Sequence, residues 1–74
     1  MDIPLSTLTF GTEAKITRIL GGCNLTRRLS EMGLTNGTKI KVVSDAFGGP
    51  VLIEVRDTRL ALGRGVATKI YVEE

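Results

Sequence analysis

Few residues in this sequence are equipped for chemistry. Histidine is absent, and Cys23 is the only cysteine. Ser–His and Cys–His nucleophilic pairs, His-ligated zinc and a His general base are thereby excluded. An intramolecular disulfide is excluded as well, which fits a reducing, cytoplasmic location. There is no GxxxxGK(S/T) run and no GxGxxG run to cradle a phosphate. Cys23 sits beside the start of a helix, where the dipole favours a thiolate. A lone thiolate cannot complete a four-ligand metal shell. The carboxylates Asp2, Glu13, Asp45, Asp57, Glu73 and Glu74 have no site-like spacing. The expectation is no catalytic residue, no cofactor and no metal site, with Cys23 a small residue at a loop–helix junction.

What remains is surface recognition. Leu25, Leu29 and Met32 recur at i, i+4 and i+7, a single apolar helical stripe. Leu29 and Met32 read as core. Leu25, in the first turn, reads as projecting beyond it, flanked by Arg27 and Arg28. An apolar side chain ringed by arginine suits a docking patch, because Arg is enriched at interfaces. Phe47 lies in a glycine-rich loop, where it either caps the core or anchors a partner. The candidate partner-binding residues are therefore Leu25, Arg27, Arg28 and Phe47. Lys15, Arg18, Lys39 and Lys41 fall on outward strand faces and read as a solvated surface, with a basic face for an acidic partner as the alternative.

These side chains must be positioned by a small scaffold. The chain has 74 residues, which predicts one domain over 1–74 with a thin core and no deep cleft. The net charge is +2, with a pI near 9.0. Residues 1–37 carry four basic and three acidic groups, and residues 38–74 carry six and five. That balance lacks the one-sided basic face of a strong nucleic-acid binder. No aliphatic run exceeds three residues, as at Val51-Leu52-Ile53, whereas a membrane helix needs about 20. Met1-Asp2-Ile3-Pro4 shows no secretory pattern.

Alternation predicts strands over 13–20, 38–44, 51–56, 59–62 and 69–73. Ile16 and Ile19 are out of phase, so a bulge is expected near Thr17-Arg18. Asp57-Thr58 separates two alternating runs at hairpin spacing. One helix is predicted over 24–32, with Asn24 as N-cap, Gly33 as the left-handed stop and Leu34 folding back onto Leu29. Residues 63–67 read as a corner. A flat sheet of this size would leave its apolar face wet, whereas curling buries it. The predicted fold is mainly β, a small SH3-like barrel of about five strands with one short helix. Its expected core is Ile16, Leu29, Met32, Leu34, Ile40, Val42, Val51, Ile53, Val55, Leu60, Leu62, Ile70 and Val72.

The run from Arg28 to Val42, Arg28-Leu29-Ser30-Glu31-Met32-Gly33-Leu34-Thr35-Asn36-Gly37-Thr38-Lys39-Ile40-Lys41-Val42, resembles the pattern RLxxMGLxxGxxIxV of the ferrous iron transport protein A (FeoA) family. Leu5, Leu8, Gly11, Gly48-Gly49-Pro50-Val51, Leu60-Ala61-Leu62 and the run from Ala67 to Val72 extend the resemblance from Leu5 to Val72. Asn36 stands where the family usually has proline before the turn glycine. The resemblance implies an SH3-like barrel, no enzymatic activity and a role in bacterial ferrous iron uptake. The implied partner is the ferrous iron permease with its cytosolic GTPase domain, with contact to the membrane only through that permease. The same barrel occurs as the C-terminal domain of iron-dependent repressors, so a metal-sensing regulatory module is an alternative. A nucleic-acid-binding barrel is another, although Tyr71 is the only Tyr or Trp and no nucleic-acid partner is expected. An exposed barrel edge leaves weak homo-oligomerisation open.

Overall fold

The computed structural model of the chain describes residues 2–45 and 49–74. In chain order the elements are β1 (Ile3–Pro4), a 3₁₀ turn (Leu5–Thr7), β2 (Glu13–Ile19), α1 (Cys23–Glu31), β3 (Lys39–Asp45), β4 (Val51–Val55), β5 (Thr58–Leu62), α2 (Arg64–Ala67) and β6 (Ile70–Glu73). The strands form one antiparallel sheet in the order β1-β6-β2-β3-β4-β5. About five strands were expected. The sixth is β1, two residues whose pairing of Ile3 with Val72 and Pro4 with Tyr71 is too short to leave an alternation signal.

Alternation decides which face is buried. β4 buries Val51, Ile53 and Val55 and leaves Leu52 and Glu54 half-exposed. β2 buries Ala14 and Ile16, then breaks phase. There Ile16 pairs with Val72 and Arg18 with Tyr71, so Thr17 is the extra residue of a bulge, at the expected place. Arg18 stacks 4.8 Å from the Tyr71 ring centroid and pairs with Asp2 at 3.0 Å. A second bulge separates Val42 from Ser44 in β3. The β4–β5 turn is Arg56-Asp57, with Val55 paired to Thr58, one residue earlier than the spacing suggested. The 63–67 corner is the helical turn α2, which buries Ala67.

The core holds eleven of the thirteen expected residues, together with Leu5, Leu8, Ala14 and Ala67. Leu5 and Leu8 are three apart across the 3₁₀ turn, where side chains eclipse, so both point inward. Two expectations fail. Leu60 is only half-buried. Met32, expected in the core, is 41% exposed, because it stands at the C-cap of α1 beyond the last helical turn. The helix also starts one residue early. Its N-cap is Gly22, with no side-chain cap. Asn24 lies inside the first turn, where its Oδ1 accepts from Arg27 Nη2 at 3.3 Å. The C-terminus ends as expected. Gly33 has φ +91°, and the Leu34 amide donates to the Leu29 carbonyl at 2.8 Å while the Gly33 amide donates to Ser30 at 3.0 Å. This 6→1 and 5→2 pair is a Schellman motif, and it delivers Leu34 into the core.

Candidate docking groove

α1 leaves its apolar stripe split between two environments. Leu29 is buried, Leu25 is half-buried against the core, and Met32 is exposed. Between them and the β5–α2 corner runs a groove of about 190 Å³, lined by Leu25, Arg28, Leu29 and Met32 on one side and by Ala61, Leu62, Gly63 and Val66 on the other. Among the described residues of that lining, Arg28 is the one charged side chain. Among the described residues, its side chain has no hydrogen-bond or ion-pair partner. Apolar walls with a single unpartnered cation can seat an apolar side chain flanked by a negative group. They offer no nucleophile, base or ligand set.

Gly21 positions Leu25. Its φ of +148° is one that L side chains rarely adopt, and a methyl group there would sit 2.7 Å from Leu25 Cδ2. The Leu25 side chain lies over this bare backbone, in space that a larger residue at 21 would take.

The structure thus brings together two of the four residues singled out from sequence, Leu25 and Arg28. Arg27 does not line the groove; it is turned back onto Asn24. Phe47 lies outside the described residues. Sequence reasoning missed Met32, which it assigned to the core, and Ala61 and Val66, which it passed over in the β5–α2 segment. Phe10, at 74% exposure, was also passed over; it stands in the turn before β2, apart from the groove lining.

A larger depression of about 450 Å³ lies on the outer sheet face, lined among others by Glu13, Lys15, Lys39, Lys41, Glu54 and Glu73. Cross-strand register pairs Glu13 with Lys41, Lys41 with Glu54, and Glu54 with Arg59. Lys15 stands between Lys39 and Glu73. The lysines are interleaved with carboxylates, so the face has the alternating charge of a solvated sheet and no basic patch.

The sequence model of the FeoA domain matches residues 3–74. This chain belongs to the FeoA family. A relative from Methanocaldococcus jannaschii, named as an Fe(2+) transport protein A, is 39% identical over 71 residues, covering 96% of this chain and 85% of its own. The crystal structure of an iron uptake regulatory protein (FeoA) superposes with a TM-score of 0.92 at 38% identity, covering 99% and 97% of the two chains. A manganese-dependent transcriptional repressor shares the fold with a TM-score of 0.89 at 19% identity, over 99% of this chain and 41% of that one. Like its FeoA neighbours, this chain has the SH3-like fold. Among the described residues of this FeoA chain, no group of three or more Cys, Asp or Glu could hold a metal ion. Cys23 is free and exposed. No described helix is long and apolar enough to cross a membrane.

Proposed function

We propose that this FeoA chain is a cytoplasmic, non-enzymatic adaptor of ferrous iron uptake, docking through the α1–β5–α2 groove on the cytosolic part of the ferrous iron permease. The names of its relatives support the iron-uptake role. The observation that carries the docking role is the groove itself, where Leu25 and Met32 are left incompletely covered beside the unpartnered Arg28. Their burial against a partner offsets the entropy lost on association. An adaptor needs no ligands for the transported ion.

The test is retention of the permease's cytosolic region by immobilised protein. Leu25→Asp abolishes retention, because a carboxylate replaces the apolar anchor. Folding survives, since Leu25 is only half-buried and a carboxylate in the first turn of α1 interacts favourably with the helix dipole. The melting temperature falls by no more than about 8 °C, the equivalent of about 1 kcal/mol in a domain this size. Full retention by Leu25→Asp removes the groove from the interface.

A further inference from the structure

The two edges of the sheet are treated differently. One edge is β1, two residues long and ending in Pro4, which is how natural sheets blunt an edge. The other is β5, five residues without proline, paired among the described residues with β4 alone. A two-residue loop makes Val55–Thr58 a hydrogen-bonded pair, and bonded and non-bonded pairs then alternate along the ladder. Thr58, Leu60 and Leu62 spend their backbone groups on β4. Arg59 and Ala61 direct theirs outward. No other backbone bond reaches these two residues among those described. The docking groove runs along this edge, since Ala61, Leu62 and Gly63 form its wall.

From this juxtaposition we infer that the groove's occupant is an extended acidic–apolar segment of a partner polypeptide, which adds to β5 as a seventh strand. An added strand lies about 4.8 Å from β5 and takes up the outward groups of Arg59 and Ala61. Its side chains on one face then enter the groove, where Leu25, Leu29, Met32 and Val66 accept an apolar residue. Charge selects the remainder. Among the described residues Arg28 in the groove has no partner, and exposed Arg56 and Arg59, the latter 3.6 Å from Glu54, flank the edge. The described residues of the groove lining include no carboxylate. The backbone supplies affinity and the groove supplies side-chain selectivity, as in other strand-addition complexes. This inference rests on the docking reading above and specifies the form of the partner.

The probe is a capped seven-residue peptide alternating Glu with Val and Leu. One control has the same composition with its apolar residues run together, and another carries Lys in place of Glu. On the full chain, the alternating acidic peptide produces saturable shifts in the Arg59 and Ala61 amides. It also slows their hydrogen exchange by at least about tenfold, because they acquire acceptors. Neither control does so. Ala61→Pro removes an outward N–H that β4 does not use, and it weakens peptide binding by at least about tenfold. Strand addition is overturned by no saturable shift up to about 1 mM, by saturation at α1 with no slowing at Arg59 and Ala61, by undiminished peptide binding by folded Ala61→Pro, or by edge protection in the free protein that grows with its concentration. The last would show a second copy on the edge. The exchange measurement needs only the unaltered chain, so it decides the matter even if Ala61→Pro does not fold. A permease region retained by Ala61→Pro but lost by Leu25→Asp leaves docking in place and removes strand addition. Peptide captured on the edge while the permease region is not retained by the unaltered chain leaves strand addition in place and removes the permease.

Discussion

Leu34 and Met32 are two residues apart at the end of α1, yet they should respond oppositely to truncation. Leu34 has no exposed surface and sits in the Schellman turn with its amide bonded to Leu29. Leu34→Ala removes three buried carbons and leaves a cavity in a thin core, so the cost is about 3 kcal/mol. Met32 is 41% exposed. Fully burying a methionine side chain is worth about 1.5–3 kcal/mol. Met32→Ala forfeits only part of this, because much of the side chain is already in water. The net cost is about 1 kcal/mol. At about 4–8 °C per kcal/mol for a domain of this size, the expected falls in melting temperature are about 12–24 °C and about 4–8 °C. Urea titration checks the ranking, with the midpoint moving and the slope constant in both variants. Partner binding should show the reverse order. Met32→Ala weakens retention by the permease region, while Leu34→Ala, assayed well below its melting temperature, retains it. Equal destabilisation by the two variants would refute the assignment of Met32 to the groove.

Other positions make sharper statements about the backbone. Gly33→Ala should cost about 1–2 kcal/mol and fray the end of α1 in circular dichroism, because φ +91° is unfavourable for an L residue. Arg56→Gly should raise stability by about 0.5–1 kcal/mol in urea titration, since Arg56 holds φ +57° at a cost that glycine avoids. Phe10→Ser should change the unfolding free energy by less than about 0.5 kcal/mol, its side chain being already in water.

The strands were legible because a two-residue period survives wherever no bulge interrupts it. Ile40 and Val42, Val51 and Ile53, and Ile70 and Val72 all turned inward as alternation requires. The β2 bulge was legible for the same reason, since only an extra residue reconciles Ile16 with Ile19. What did not show was anything governed by one end of an element. Asn24 has the right side chain for an N-cap, but Gly22 occupies that position with extended backbone, and propensity cannot distinguish sites two residues apart. Met32 illustrates the limit of helical spacing. At about 100° per residue, Met32 lies about 20° from Leu25 around the helix, while Leu29 lies about 40° to the other side. Periodicity therefore puts all three on one stripe. Only the placement of β5 and α2 divides that stripe into a core half and a groove half. Ala61 and Val66 carried no signal because they line the groove through tertiary placement.

The same placement argues that one side of the molecule is available for recognition. Across the outer sheet face, Glu13, Lys41, Glu54 and Arg59 form an alternating row in register over four strands, with Arg59 and Glu54 within 3.6 Å. A macromolecule binding there would have to desolvate charges that already have opposite-sign neighbours, and exposed pairs of this kind return about 1 kcal/mol or less. At the β1 edge, Pro4 removes a backbone donor and Asp2 ties the chain to Arg18. The groove beside β5 is different. Among the described residues its walls are apolar and its cation is unpartnered, and the adjoining strand edge still has backbone groups to give. Docking there covers Leu25 and Met32 without breaking an existing ion pair, so the net charge of +2 matters less than the fact that Arg28 stands alone in an apolar lining.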